Sequence, residues 1–330
     1  MKSFRALFVD KEGDRCFTQV RTITEKMLPQ DEVTIRVAYS GVNYKDGLAV
    51  RPDGKIVSRY PFIPGIDLSG TVVRSRDERF REGDRVLVTG YGLGVSHEGG
   101  YSELACVPGD WVVPLPEGLS LREAMIVGTA GFTAALSIER LQAHGVLPGS
   151  GPVAVAGATG GVGSMAVALL ASLGYEVAAG SGKPAAAAYL RELGAASVLS
   201  REELAGDAQR PLQKERWAGA VDPVGGAGLA GMLGAVRYGG AVAVSGMAGG
   251  ASFAASVFPF ILRGVSLIGI DSVQCPHDMR VRIWERLSRE WRPAGGYEKL
   301  VAAEVGLDRV EEPLAAILRG ELQGRVLVKM

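Results

Sequence analysis

The chain has 330 residues, long enough for two domains that each bury a core. Hydrophobic residues make up 47% and charged residues 22%, and Lys+Arg balances Asp+Glu at 36 each, so the basic excess that marks a nucleic-acid-binding surface is missing. The three cysteines, Cys16, Cys106 and Cys275, lie far apart and form no CxxC pair, which argues against a structural zinc knuckle and suits a reducing compartment. Residues 1–14 lack the apolar run of a secretory leader, and longer apolar stretches are interrupted by Gly, Arg or Ser before about 18 residues. A cytoplasmic location with no membrane association is expected.

The first third reads as β-rich. Strands are predicted over 4–9, 32–39, 67–73 and 84–89, with the segment 32–39 alternating polar and apolar residues as a half-buried strand does. Pro61, Pro64, Gly65, Gly70 and Gly83 punctuate the turns, and 99–105 opens a further hairpin-like segment. Short strands at close spacing predict a barrel-like β domain. Near Ser120 the pattern changes. Helices are predicted over 121–129 and 132–144, then strands at 153–156, 176–179, 197–199, 217–222, 241–245 and 265–270. Helices at 164–173, 185–193 and 229–236 alternate with them, and 201–216 reads as a solvated helix and loop. That alternation predicts parallel strands with helical crossovers, a doubly wound sheet. Helices at 279–291 and 310–319 and a strand at 325–329 complete the chain.

The strongest local motif is Ala156-Gly157-Ala158-Thr159-Gly160-Gly161-Val162-Gly163. It follows an apolar strand and opens a helix, the context a dinucleotide fingerprint requires. Glycines let the backbone approach a pyrophosphate, and the helix start offers unpaired N–H groups and a favourable dipole. NAD enzymes usually place Asp or Glu at the end of the next strand for the ribose 2′-hydroxyl. Here that strand ends in Ala178-Ala179-Gly180-Ser181-Gly182-Lys183. A carboxylate would repel a 2′-phosphate, whereas Ser181 and Lys183 would hold it, with Arg201 as a second cation. NADPH is therefore the expected cofactor, although Lys183 also reads as a solvated lysine at a helix start.

The three histidines, His97, His144 and His277, stand apart, and no Cys/His set has ligand spacing, so no metal is expected. No G-x-S-x-G elbow is present. The most polar loop of the β domain is Ser40-Gly41-Val42-Asn43-Tyr44-Lys45-Asp46. Tyr44 suits a hydrogen bond or proton to an enolate, Asn43 suits orienting a carbonyl, and Lys45 and Asp46 read as a local pair. A purely structural turn is the competing reading.

Taken together, these residues resemble the medium-chain dehydrogenase/reductase superfamily over essentially the whole chain. Zinc-dependent members carry a cysteine after the first core strand and a Gly-His-Glu motif. The matching segments here, Val42-Asn43-Tyr44-Lys45-Asp46 and Pro64-Gly65-Ile66-Asp67, lack both, which points to the zinc-free quinone-reductase and enoyl-reductase branch. Within it the chain is similar to the YhdH/AcuI-type acrylyl-CoA reductases, through Asn43–Asp46, Pro64–Asp67, Ala158–Gly163, Ser181–Lys183 and Ser200-Arg201-Glu202. Further matching segments are Val221–Gly226, Pro259–Arg263, Asp271-Ser272-Val273 and Gln323-Gly324-Arg325.

The resemblance implies an α/β fold with a Rossmann domain over 122–272 and a GroES-like catalytic domain over 1–121 and 273–330. It implies NADPH contacts at Tyr44, Thr159, Gly160, Gly161, Val162, Ser181, Gly182, Lys183, Arg201, Met247, Ile261, Ser272 and Arg325. It also implies a homodimer formed by sheet edges pairing near 265–270. The expected activity is NADPH-dependent reduction of an activated C=C bond, acryloyl-CoA to propionyl-CoA, in a cleft between the domains. Tyr44 either donates the proton or positions the cofactor. The alternatives are a quinone or small-enone acceptor, and, from a different class, a non-catalytic NADPH-binding protein. A coenzyme A substrate needs cations at the rim, for which Arg51, Lys55 and Arg59 are candidates.

Overall fold

The structure is a computed structural model that describes residues 3–330. In chain order it begins with strands β1 (Ser3–Glu12), β2 (Arg15–Thr24) and β3 (Val33–Gly41), helix α1 (Tyr44–Ala49), and strands β4 (Asp67–Ser75), β5 (Arg85–Thr89), β6 (Leu104–Val107) and β7 (Val113–Pro114). Helix α2 (Leu121–Ala143) leads to β8 (Val153–Val155), α3 (Gly161–Ser172), β9 (Val177–Gly180), α4 (Ala187–Glu192), β10 (Ser197–Leu199) and α5 (Arg201–Ala205). Then come β11 (Trp217–Asp222), α6 (Gly226–Ala235), β12 (Val236–Val244), α7 (Phe258–Arg263), β13 (Ser266–Gly269), α8 (His277–Ser288), β14 (Val301–Gly306), α9 (Glu311–Leu318) and β15 (Arg325–Lys329).

These elements pack as two units. The first runs to Thr129 and takes in Val273–Arg289 and Leu300–Met330; the second is Ala130–Ser272 with Glu290–Lys299. The division thus lies beyond residue 121, because the first turns of α2 are tied into the first unit: the Asp67 carboxylate accepts the N–H (3.0 Å) and hydroxyl (2.5 Å) of Thr129. Just before this tie point Gly128 interrupts α2 at φ 52°, ψ −162°, a conformation open to glycine alone. The segment 290–299 joins the second unit, where Lys299 pairs with Glu192 at 3.3 Å.

In the first unit β3 is the organising strand. It pairs antiparallel with β4, β6 and β15, and the sheet runs β14-β15-β3-β4-β5-β7. Val33, Ile35 and Val37 alternate into a core with Leu68, Val72, Val86, Val88 and Val107, while Arg36 points to solvent. The β1–β2 hairpin turns at Gly13 (φ 57°), and Phe4, Ala6, Phe8 and Ile23 bury its inner face with Ile63 and Leu104. The last strand, β15, sits in the interior of the sheet, opposite Gly41 of β3.

The second unit is a six-stranded, wholly parallel sheet in the order β10-β9-β8-β11-β12-β13. Counted from β8 this is 3-2-1-4-5-6, the doubly wound order whose ligand crevice opens where the strand order reverses, between β8 and β11. The strands read as continuous apolar runs because helices cover both faces. Ala154, Ala178, Ala220, Val242 and Leu233 fill one side of that core. Helix α2 is the one helix among the described residues long and apolar enough to cross a bilayer, and most of it is buried in the protein's own core.

Several elements differ from expectation for physical reasons. β2 alternates exposed with half-buried residues, and β14 leaves Ala302, Ala303, Glu304 and Gly306 exposed, so neither carries a buried apolar run. The loop expected over 40–46 ends as the helix α1, a six-residue turn containing Gly47 that intrinsic propensity would not favour.

Candidate active site

The second unit offers a cradle at the β8–β11 switch point. After β8 the chain turns at Gly157 (φ 55°), and Ala158 N–H reaches across to Gly180 O at 2.9 Å, joining this turn to the end of β9. A Cβ at Gly163 would stand 2.2 Å from Gly157 O and 2.7 Å from Ala158 Cα, so only glycine lets α3 pack this tightly on the turn. The first helical bond of α3 is Ser164 N to Gly160 O (2.8 Å). The N–H groups that precede it are the orphan donors of a helix start, aimed where an anion is favoured. Gly160 is exposed and Gly161 and Val162 are half-buried, while Thr159 is buried.

Ser181, Gly182, Lys183 and Arg201 come together at the ends of β9 and β10. Ser181 N–H bonds Leu199 O (3.0 Å), and the Ser181 hydroxyl accepts Lys183 N–H (3.0 Å), which fixes the turn. The Arg201 guanidinium lies over Gly182: a Cβ there would meet its Nε at 2.5 Å. Arg201 is exposed, on the first turn of α5, where Ser200 and Glu203 form a capping box. No acidic side chain occupies this turn, which spans Gly180 to Lys183.

The loop after β11 links the glycine turn to that after β12. Asp222 is fully buried and accepts the N–H groups of Val224 (2.7 Å) and Gly225 (3.1 Å); burial pushes its carboxyl above the usual range and these bonds oppose the shift. Gly249 N–H bonds Val224 O (2.8 Å), which sets the loop carrying Met247 beside it. Met247 is exposed, Ser272 follows β13 half-buried, and Ile261 lies exposed on α7. The expected contacts of this unit therefore follow the carboxyl ends of parallel strands, Ile261 excepted. Asp222 escaped the sequence reading, although an acid before Pro-Val-Gly-Gly, directly after a buried strand, is a signal of a loop capped by its own carboxylate.

In the first unit the polar loop resolves into a buried network beneath α1. Asp46, at the third position of the helix, does not pair with Lys45 as expected. It is fully buried, and its carboxyl accepts Asn43 N–H (2.9 Å), the Asn43 side-chain amide (3.2 Å) and Ile66 N–H (2.9 Å). The same Asn43 amide donates to Asp67 at 2.9 Å. Burial, with the Asp67 charge second, raises the Asp46 pKa to about 7. Tyr44, at the start of α1, is 43% exposed.

Arg325, expected among the cofactor contacts, lies buried in the first unit. Its side chain is 2% exposed and donates to Ile126 O (3.0 Å), Val42 O (3.1 Å) and Asn43 Oδ1 (3.1 Å), with Asp67 at 3.6 Å. These bonds use Nε and Nη1, while Nη2 faces Asp67. Two of the three candidate rim cations are also engaged: Arg51 with Asp53 (2.7 Å) and Arg59 with Glu98 (2.9 Å), while Lys55 is exposed.

Residues 29–117 match the alcohol dehydrogenase GroES-like domain, and residues 161–289 match the zinc-binding dehydrogenase family. The chain is 54% identical to the putative quinone oxidoreductase YhfP of Bacillus subtilis, over 99% of both chains, and 52% identical to the acrylyl-CoA reductase AcuI of Ruegeria pomeroyi, over 98% of both. It superposes on the crystal structure of the yhdH oxidoreductase of Salmonella enterica in complex with NADP with a TM-score of 0.95, at 47% identity and 99% coverage of each chain. The B. subtilis yhfP structure with NAD bound gives a TM-score of 0.97, with both chains fully covered. The chain belongs to the medium-chain dehydrogenase/reductase superfamily. Its first unit is the GroES-like domain and its second the Rossmann-type domain of that fold. Although one matched family is described as zinc-binding, no group of three or more His, Cys, Asp or Glu suited to a metal occurs among the described residues. At the position of the zinc branch's Gly-His-Glu stands Gly65-Ile66-Asp67, whose acid faces Arg325.

The Asp46 carboxyl has a signed effect on stability. Its folded pKa lies above its unfolded value of 3.8, so the folded state holds the extra proton, and stability is lost as pH rises towards about 7. Each pKa step is worth ~1.4 kcal/mol, so the decline is on the order of a few kcal/mol. Denaturation of wild type against Asp46→Asn from acid to neutral pH should show the wild type losing ground steadily and levelling off above neutrality. Parallel curves for the two proteins would refute this.

Proposed function

We propose that this protein is an NADPH-dependent reductase of activated C=C bonds, acting on an acyl-CoA thioester of the acryloyl type. The observation that carries the cofactor assignment is the turn after β9, where the Arg201 guanidinium lies over Gly182 between Ser181 and Lys183 and the turn holds no acidic residue. That set suits a 2′-phosphate, and the glycine turn with the start of α3 suits a pyrophosphate. Thr159, Gly160, Gly161 and Val162 would hold the diphosphate; Ser181, Gly182, Lys183 and Arg201 the phosphorylated ribose; Met247, Ile261 and Ser272 are the further contacts in the second unit. Bound NADPH supplies a hydride, which ends on the β-carbon of the acceptor.

The chain's own part is binding, orientation and the proton. Negative charge builds on the thioester oxygen as the β-carbon is reduced, and hydrogen-bond donors there lower the barrier if they bind that oxygen more tightly in the transition state. Tyr44 is the exposed phenol of the first unit that fits this role, and it supplies the proton that completes the α-carbon. The acceptor assignment is supported by the similarity to AcuI; the similarity to the putative quinone oxidoreductase supports a quinone as the second reading. NAD in the yhfP structure likewise makes NADH the rival cofactor.

The deciding experiment is NADPH oxidation by purified protein with acryloyl-CoA, beside crotonyl-CoA, a simple quinone and NADH. Turnover with acryloyl-CoA and NADPH is expected, with Tyr44→Phe reducing kcat by about 100-fold. Quinone turnover alone would replace the acceptor, no turnover with tight NADPH binding would leave a binding protein, and a Tyr44→Phe effect confined to KM would remove the proton-donor role.

Arg201→Ala tests the cofactor assignment separately. Losing a charge-assisted contact worth roughly 1.5–3 kcal/mol should raise KM for NADPH by about 10- to 100-fold and leave KM for NADH nearly unchanged. Equal losses with both cofactors would argue against a 2′-phosphate site.

The assembly we propose is a homodimer. β13 is the terminal strand of the parallel sheet, and Val257, Phe258, Ile261 and Leu262 beside it in sequence expose apolar side chains. Light scattering should give twice the 34.6 kDa chain mass, and a monomer would sink the proposal. A cytoplasmic location fits the three free cysteines.

A further inference from the structure

Among the described residues, the network under α1 holds more carboxyl groups than cations. Asp46 and Asp67 share one neutral amide, that of Asn43, and both are fully buried. The guanidinium facing them is Arg325, 3.6 Å from Asp67, and it is bonded to Val42 O and Asn43 Oδ1 rather than to Asp46. From the segment 99–103 Tyr101 faces the same carboxyl. From α2 comes the neutral Thr129, on Asp67, and α9 meets α1 at Gly47 through Leu314 and Leu318. With both carboxyls ionised the site carries one uncompensated buried charge, which is costly.

One proton removes that charge, and the geometry says where it sits. Asp67 accepts the Thr129 N–H and hydroxyl besides the Asn43 amide and faces Arg325, so its ionised form is well satisfied. Among the described residues no cation pairs with Asp46. The Tyr101 hydroxyl beside it, 3.2 Å from Gly41 O and within hydrogen-bond reach of the Asp46 carboxyl, is a neutral group and brings no countercharge. Asp46 in turn ties the Asn43 and Ile66 backbones to the first turn of α1, on which Tyr44 is the first residue.

We propose that Asp46 is a positioning residue that works in its protonated form: the neutral carboxyl holds the first turn of α1, and with it Tyr44, and turnover falls as that proton leaves. This rests on the reading of Tyr44 as the phenol used in the reaction. Ionisation sets two carboxylates against one amide, and the strain is relieved by loosening the short helix, whose other end carries no cap of comparable strength.

Three readouts test it. Infrared difference spectra of wild type minus Asp46→Asn should show a protonated-carboxyl band in mildly acid buffer that disappears in alkaline buffer. Hydrogen exchange of the α1 amides, corrected for intrinsic rates, should accelerate over the same range in wild type and stay level in Asp46→Asn. Wild-type kcat should fall about fivefold or more across that range, the scale of one lost hydrogen bond, whereas Asp46→Asn should be slower but free of this alkaline limb. No carboxyl band in acid, or a band that persists while turnover falls, overturns the proposal. If Asp46→Asn does not fold, Asp67→Asn serves: without the neighbouring charge the band and the exchange transition should move to lower pH, and an unmoved transition overturns it. Absence of any alkene reduction would refute the reaction assigned above, while the band and the exchange would still decide whether Asp46 carries the proton and holds α1.

Discussion

The Arg325 guanidinium joins segments that are remote in sequence. It binds the carbonyls of Val42 and Ile126 and the Asn43 side chain, and it faces the Asp67 carboxylate. Removing one partner of such a buried pair leaves a charge with no solvent to stabilise it, so the arrangement is costly to take apart even if its formation adds little to stability. Glycine backs it on two sides: a Cβ at Gly41 would stand 2.8 Å from the guanidinium, and one at Gly128 would stand 2.6 Å from Asp67 and 2.7 Å from Arg325. The break in α2, the end of β3 and the start of α1 are all set by this cation. The geometry of Tyr44 follows from it at one remove.

The second unit obeys a different constraint. Its sheet is parallel, its strands are short and apolar, and its polar chemistry is confined to the loops after their carboxyl ends. Nothing in its core has to balance a charge. Asp222, buried at the end of β11, is satisfied by the N–H groups of its own loop. The cradle can therefore be formed from backbone and small residues, and its discrimination between cofactors rests on a few side chains at the ends of β9 and β10.

That difference explains what was legible beforehand. Strands such as 197–199, 217–222 and 325–329 are apolar and bounded by turn residues, and the structure places β10, β11 and β15 at those positions. The glycine turn was readable because Gly157 and Gly163 have steric reasons that a pattern can encode. The buried network was not. Asp46 next to Lys45 looks like a local pair in one dimension, and nothing in the C-terminal strand shows that Arg325 is buried. Their partners, Ile66, Asn43, Ile126 and Asp67, come from elsewhere in the chain, and only the closed sheet reveals that these charges face inward. α1 escaped as well: it is short, Gly47 lowers its helical propensity, and a buried carboxyl starts the turn.

The position of β15 also orders events in time. It lies between β3 and β14, and the residue at its start is the cation on which β3, α1 and α2 converge. A nascent chain emerging from the ribosome has the whole sheet of the second unit in hand by Gly269, while the first unit, begun earlier, still has the end of β3, Tyr39 to Gly41, without the strand that β15 will supply. The half of the protein synthesised first is thus completed last, and Asp46 and Asp67 await their countercharge until the final strand arrives.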